Sequence, residues 1–304
     1  MQHLVQKPLS TRYATSELLV YSSKSLGKRS QPVRSLMAQE KTILITNDDG
    51  IRSYGLAAVA NVLKDLGRLV IVAPSVQKSG VGRSLSLFEP IRVSGARVEG
   101  HEAYAVAGTP TDAVLIAEYA ILKRKPDLLV SGINVGENLS TESVMTSGTV
   151  GAALTGASQD IPALAVSLQA HRAHVFESRT EVDFGLAADV AKALASHVLE
   201  CGMPEGVDVL NVNVPMDVSD PRYKATRLQR NVFDIRLIER LDPRGNAYFW
   251  IGSDLKESQQ PGSDVYALNN GFVSVTPLTL DSTAVAEEGT LQKWLKALDA
   301  AGVR

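Results

Sequence analysis

From Lys41 onward the chain alternates short β-branched apolar runs with amphipathic stretches of helical period, and this alternation most restricts what it can fold into. Residues 42–46 (Thr-Ile-Leu-Ile-Thr) read as a buried strand, 54–66 place Leu56, Val59, Ala60, Leu63 and Leu66 on one helix face, and 69–73 form a second strand stopped at Pro74. Strand, helix and strand at this spacing make a βαβ unit, whose crossover is right-handed and whose strands run parallel. The pattern continues through helix 111–123, strand 127–131, a small-residue helix 148–158, strand 162–166, helix 183–200 and strand 207–214. The expected fold is α/β, a doubly wound, mainly parallel sheet.

After Pro215 the organisation changes. Segments 222–241 and 246–251 alternate in β fashion around the turn Asp242-Pro-Arg-Gly245 and predict an extended hairpin. A strand at 272–276 and a helix at 287–299, with Leu291, Trp294, Leu295 and Leu298 on one face, follow. Residues 222–304 thus contain a β-rich arm and a terminal helix, suited to oligomerisation or to the rim of an active site. The first 40 residues are rich in Ser, Lys and Arg, hold only Glu17 and Glu40 as acids, and show no hydrophobic period. They read as a transit-like or disordered leader or, preferably, as sequence upstream of a natural start at Met37, with 41–304 as the folded domain.

Composition narrows the function. A net charge of −2 offers no electrostatic case for a nucleic-acid polymer as a stable partner, and no apolar run reaches the ~20 residues that span a bilayer, so no membrane is expected. The single cysteine, Cys201, excludes an internal disulfide and fits a reducing cytoplasm. Among the histidines His3, His101, His171, His174 and His197, only His171 and His174 are close, in a polar stretch that reads as a loop rather than a zinc site. Dinucleotide-binding Gly-x-Gly-x-x-Gly after the first strand, Walker-type and serine-hydrolase Gly-x-Ser-x-Gly motifs are all absent from the sequence.

Chemistry collects instead at the predicted strand ends. The first strand runs into Asn47-Asp-Asp-Gly50, where Asp48 and Asp49 repel one another unless a cation lies between them, or where one caps the next helix. Ser79 follows the second strand in Lys78-Ser-Gly80, as a ligand-approaching hydroxyl or a plain turn. Beyond strand 127–131 come Asn134, a neutral oxygen ligand, and Asn138, an amide donor for an anion. Ser147-Gly-Thr149 then opens the small-residue helix as a phosphate cradle of backbone N–H groups and hydroxyls. Gathered at one sheet rim, this set suits metal-assisted hydrolysis of a phosphate ester.

In order, Ile45-Thr-Asn-Asp-Asp-Gly50, Ala73-Pro74 with Lys78-Ser-Gly80, Gly108-Thr-Pro-Thr-Asp112, Ser131-Gly-Ile-Asn134 with Gly136 and Asn138, and Ser147-Gly-Thr-Val-Gly-Ala-Ala153 resemble the SurE family of survival-protein phosphatases. Leu210-Asn-Val-Asn-Val-Pro215, Asp242-Pro-Arg-Gly245 with Trp250-Ile251, and Ser274-Val-Thr-Pro277 extend the likeness over about residues 41–298. The resemblance implies a divalent-metal-dependent 5′-nucleotidase with a Rossmann-like core, leaving 3′-nucleotidase and polyphosphatase activity open, and a homo-oligomer, dimer or tetramer, built through the C-terminal arm. It implies one Mg2+ or Mn2+ per subunit, or Ca2+ in crystals, on Asp48, Asp49, Ser79 and Asn134. Asp48 and Asp49 would be catalytic, and Asn138, Ser147, Gly148 and Thr149 would hold the phosphate. The Gly108–Asp112 turn would shape the site. Leu139-Ser-Thr-Glu-Ser-Val-Met-Thr146 departs from the Leu-Gly-Asp-Asp and tyrosine of many bacterial members and is closer to an archaeal-type variant, which bears on substrate preference. The rival readings are a non-catalytic metal- and nucleotide-binding regulator and a metal-dependent glycosyltransferase.

Overall fold

The computed structural model describes residues 40–170, 182–230, 233–255, 260–284 and 289–300. The chain divides into two units, residues 1–39 and 40–304, and every described residue belongs to the second. The leader with His3 and Met37, the pair His171 and His174, residues 231–232 of the hairpin region and residues 287–288 lie outside the described residues.

Among the described residues, β1 (Thr42–Thr46) lies inside a nine-stranded sheet, paired in parallel with β2 (Arg68–Pro74) on one side and β5 (Leu128–Val135) on the other. Beyond β2 come β4 (His101–Val106) and then β3 (Val93–Val98). Beyond β5 come β6 (Ala163–Leu168), β7 (Val209–Val214), β11 (Val273–Leu278) and β8 (Tyr223–Ala225). Among the described residues, only the β3–β4 and β7–β11 pairs of this sheet are antiparallel, which bears out the mainly parallel α/β expectation.

Alternation along β1 explains the double winding. Ile43 and Ile45 face α1 (Tyr54–Leu63) and α5 (Gly185–Cys201), packing with Leu56, Val59, Ala187 and Val190. Leu44 faces the opposite layer, where α2 (Pro110–Ile116) and α4 (Gly148–Ala157) bring Ala113, Val150 and Ala153 against Leu129. From α2 the chain continues as a π-helical stretch over Ala117–Leu122. Successive strand residues point to opposite faces, so a strand covered on both sides must be apolar throughout, as β1 is.

Four elements were not legible as such: β3, β4, the short helix α3 (Ser140–Thr146) and α6 (Asp264–Asn269). β3 is largely exposed, and neither short helix is long enough to display a period. The extended strand expected over 222–241 is also corrected. Residues 223–225 join the main sheet as β8, and a separate two-stranded sheet forms from β9 (Phe233–Leu241) and β10 (Ala247–Leu255). The break falls where buried polar groups anchor the chain: the Thr226 hydroxyl bonds those of Ser274 and Thr276, and the Gln229 backbone N–H donates to Asp264. The terminal helix α7 spans Thr290–Ala300.

Candidate functional site

The chain leaves β1 toward β2 on one side of the sheet, while β5 lies on the other, so the carboxyl end of β1 is a topological switch point where open α/β sheets bind ligands. The turn there is closed by Asn47, which is fully buried. Its Nδ2 donates to Gly50 O at 3.3 Å and Ser53 Oγ at 2.6 Å, and its Oδ1 accepts from Gly50 N at 3.1 Å. Ser53 caps α1 by accepting from Leu56 N at 3.2 Å. Neither aspartate is therefore needed to cap that helix, and the capping alternative is settled against.

Asp48 is directed instead at the start of α4. Its Oδ1 accepts from the Thr149 hydroxyl at 2.5 Å, and the Thr149 backbone N–H also bonds the carboxylate. Asp49 Oδ2 accepts from Val135 N at 3.3 Å at the end of β5. The two side chains retain only 4 % and 9 % exposure. Burial, with the neighbouring Asp49 charge adding to it and the Thr149 hydrogen bonds opposing it, pushes the Asp48 carboxyl up to about 6.

Three further segments close on this pair. Lys78 N donates to Asp48 O at 2.7 Å and Ile51 N to Pro74 O at 2.8 Å, which hold the loop carrying Ser79 against the β1 turn. Ser79 is exposed, and its hydroxyl accepts from Gln77 Nε2 at 2.8 Å. The β5–β6 register shifts between Ser131 and Asn134, a bulge that re-aims the strand end. Glycine is required inside it: Gly132 has φ +132°, and a Cβ there would lie 2.2 Å from Val166 O. Asn134 turns its Nδ2 onto Gly136 O at 2.7 Å, which points its amide oxygen away from that bond.

At the α4 start, a Cβ on Gly148 would stand 2.6 Å from Asp48 Cβ, so only glycine admits the carboxylate so close to the helix. Ser147 Oγ accepts from Val150 N at 3.1 Å as the helix cap. The Thr149 hydroxyl thus spends its proton on Asp48, whereas the Ser147 hydroxyl accepts and can still donate. An anion at this helix start would meet the Gly148 N–H, the proton of the Ser147 hydroxyl and the helix dipole. Asn138 is buried, with one amide proton on Ser167 Oγ at 2.9 Å and the second available to another acceptor.

The donor set fits a hard divalent cation. Two buried carboxylates, one of them held toward its protonated form, favour a positive charge beside them, and the Ser79 hydroxyl and Asn134 amide oxygen would make the set all-oxygen. Among the described residues no cluster of three or more His, Cys, Asp or Glu offers an alternative site. Beside Asp49 a cavity of about 700 Å³ opens, lined by Gly50, Arg52, Gln77, Ser94 and Arg97 among others. The Gly108–Asp112 turn proves to be a capping box: Thr109 Oγ1 accepts from Asp112 N at 3.1 Å and Asp112 Oδ2 from Thr109 N at 2.8 Å. Asp112 also accepts from both the N–H and the hydroxyl of Ser86, which ties the 84–86 segment to α2.

Sequence reasoning places Thr149 at the site but not its hydroxyl on Asp48, and it misses Ser167, Asn211 and Asn213, which surround Asn138 from β6 and β7. The readable signal was the pair of asparagines two apart inside the apolar run Leu210–Val214, which must share one face of a buried strand.

Fold and site together define an α/β protein with a carboxylate-based oxygen-donor site and a helix N-terminus at the switch point of its sheet. Residues 43–234 match the model of the survival protein SurE family. The chain is 49 % identical over 257 residues to a protein of Archaeoglobus fulgidus named 5′-nucleotidase SurE, an alignment covering 84 % of this chain and 98 % of the relative. It is 48 % identical over 264 residues to the protein of the same name from Methanothrix thermoacetophila, covering 85 % of this chain and all of the relative (100 %). The crystal structure of the SurE protein from Aquifex aeolicus superposes with a TM-score of 0.69 at 36 % identity, over 85 % of this chain and 99 % of that one. The chain belongs to the SurE family.

Proposed function

We propose that this protein is a divalent-metal-dependent phosphatase that releases phosphate from nucleoside 5′-monophosphates. The observation that carries this reading is the buried Asp48–Asp49 pair, with Asp48 bonded to Thr149 at the N-terminus of α4, because carboxylates and an anion-binding helix end are the two halves of a phosphoryl-transfer site. The name 5′-nucleotidase carried by the relatives supports it.

Asp48, Asp49, Ser79 and Asn134 would hold one Mg2+ or Mn2+. Bound there, the cation would supply charge for the phosphoryl oxygens and lower the pKa of water. Asp48 and Asp49 are the catalytic carboxylates; Thr149 fixes the orientation of Asp48 through its hydroxyl. The Gly148 N–H, the proton of the Ser147 hydroxyl and the Asn138 amide bind the remaining phosphate oxygens, with Thr149 joining them through the Asp48 it orients. The cavity beside Asp49 takes the nucleoside, and Arg52 and Arg97 give it room for a further phosphate, which extends the reading to 3′-nucleotides and short polyphosphates.

The C-terminal arm is the surface for a second copy of the chain. Within the β9–β10 hairpin, Ile235, Leu237, Leu241, Phe249 and Ile251 lie on one face and are all exposed, and a two-stranded sheet does not hold such a face open in water alone.

The test is inorganic phosphate released from a panel of nucleoside 5′- and 3′-monophosphates with Mg2+, Mn2+ or EDTA. Release that requires the metal, with the 5′ esters fastest, is the expected result. Nucleotide binding without release under any metal would replace the phosphatase with a regulatory binding protein.

A further inference from the structure

The Leu210-Asn-Val-Asn-Val-Pro215 run carries polar residues with no part in the chemistry above, in the middle of a strand whose every residue is buried. Asn211 and Asn213 are two apart, so both project to the α4 side of the sheet, while Leu210, Val212 and Val214 join the core on the α1 side. Asn213 pairs in register with Ser167 of β6. These three side chains converge on one residue. Asn138 N donates to Asn213 Oδ1 at 2.8 Å, and Asn138 O accepts from Asn213 Nδ2 at 3.2 Å and from Asn211 Nδ2 at 2.9 Å. Asn138 Nδ2 donates to Ser167 Oγ at 2.9 Å.

The Asn213 amide therefore closes a two-bond ring with the Asn138 peptide groups, as a neighbouring β-strand would. Such a substitute is needed because the chain after β5 leaves the sheet: Ser140 adopts φ +71° and its N–H donates to Asp264 at 2.7 Å. Ser167, Asn211 and Asn213 are fully buried and Asn138 is 7 % exposed, so water cannot replace these partners cheaply.

We infer that Asn213, with Asn211 and Ser167, is a positioning residue for phosphate: it holds Asn138 so that the second proton of its amide faces the phosphate bound at the α4 start. The inference rests on the phosphatase reading for the role of Asn138, and goes beyond it in giving the β6–β7 asparagine and serine face a task in substrate affinity. Interactions made equally with substrate and transition state appear in KM rather than kcat.

The experiment is a double-mutant cycle. Inorganic phosphate is titrated in the presence of Mn2+ against the thermal midpoint of wild type, Asn213→Ala, Asn138→Ala and the double variant, with KM and kcat for a nucleoside 5′-monophosphate measured alongside. Asn213→Ala is expected to weaken phosphate about tenfold, and to raise KM by the same factor with a smaller fall in kcat. On the Asn138→Ala background the same substitution should have no further effect. Ser167→Ala, which removes one hydroxyl and no backbone partner, should weaken phosphate about threefold and lose that effect in the same background; it decides the matter if Asn213→Ala does not fold. Wild-type phosphate affinity in folded Asn213→Ala, or effects that add in full on Asn138→Ala, would overturn the inference. The two readings separate because the midpoint titration needs no turnover: a wild type that binds phosphate but hydrolyses no ester sinks the phosphatase and leaves the cycle decisive, and a wild type that binds no phosphate sinks both.

Discussion

The rim of the sheet and the C-terminal hairpin invert the usual distribution of polarity in opposite ways. At the rim, Asp48 and Asp49 are carboxylates removed from water; on the hairpin, Phe249, Trp250 and Ile251 are large apolar groups left in it, with exposures of 58 %, 61 % and 77 %. Each arrangement costs free energy in an isolated chain, and in the function proposed above each is completed from outside it. The two differ in what can do so. Buried like charges call for a cation, whereas an apolar β face calls for another apolar face. The rim is also over-determined by its own hydrogen bonds, through Thr149, Val135 and Lys78, while the described part of the hairpin is held by its own ladder. A site for chemistry must be rigid before its ligand arrives; a surface for a partner need only present the right side chains.

The sharpest way to break this contrast is Asp48→Asn. The amide keeps the volume and an acceptor for Thr149 while removing the charge. Turnover is expected to fall by about a thousandfold or more, with the thermal midpoint held or raised because a charge no longer has to be buried. Phosphate release and calorimetry on the same preparation check both halves; a folded variant with wild-type turnover would end the catalytic assignment.

Ile251→Asp tests the other region. Ile251 is exposed in the single chain, so the substitution should leave the core's stability within about 0.5 kcal/mol yet reduce the particle mass in sedimentation to that of smaller assemblies. An unchanged mass, or a single chain for the wild type, would remove the arm from the assembly.

The smallest effect sharpens the meaning of buried charge at the rim by comparison with Asp264, a carboxylate the chain satisfies by itself. Asp264 is fully buried and accepts from Ser140, Gln229 and Val265 backbone N–H groups at 2.7, 3.0 and 2.9 Å. Burial nevertheless raises its carboxyl above the ordinary 3.8, the hydrogen bonds opposing this only in part. A folded pKa above the unfolded one means that its contribution to stability is greatest below pH 3.8 and declines as pH rises through the folded value. Asp264→Asn should remove that slope and, by setting an NH2 group against the Ser140 donor, lower stability by about 1–3 kcal/mol at neutral pH. Denaturant melts of the two proteins from pH 3.5 upward measure the difference; parallel curves would show that Asp264 does not titrate on folding.

Much of the core was legible because a strand covered on both faces must be apolar throughout. Thr42–Thr46, Arg68–Pro74 and Val209–Val214 all appear where the sequence places them, to within a residue or two. The carboxylates were legible because a glycine turn after such a strand falls at the binding rim. The failures share a cause. β3 and β4 are an antiparallel edge pair with a mixed surface, and α3 and α6 are too short for a period to accumulate. The long strand expected from Arg222 was two strands, since a period of two looks the same whether or not a buried Gln229 and Thr226 interrupt it.

By itself the sequence determined the α/β class, the succession of central strands and helices along the chain and the kinds of donor at each strand end, because these follow from local periodicity and from chemistry that a side chain carries wherever it sits. Only the tertiary structure decided which donors meet. That Thr149 answers Asp48 from 101 residues away, and that Asn213 answers Asn138 from 75, depends on strand order and register. Such pairings exist only once the sheet is assembled, since a register shift of one residue would turn each side chain to the opposite face.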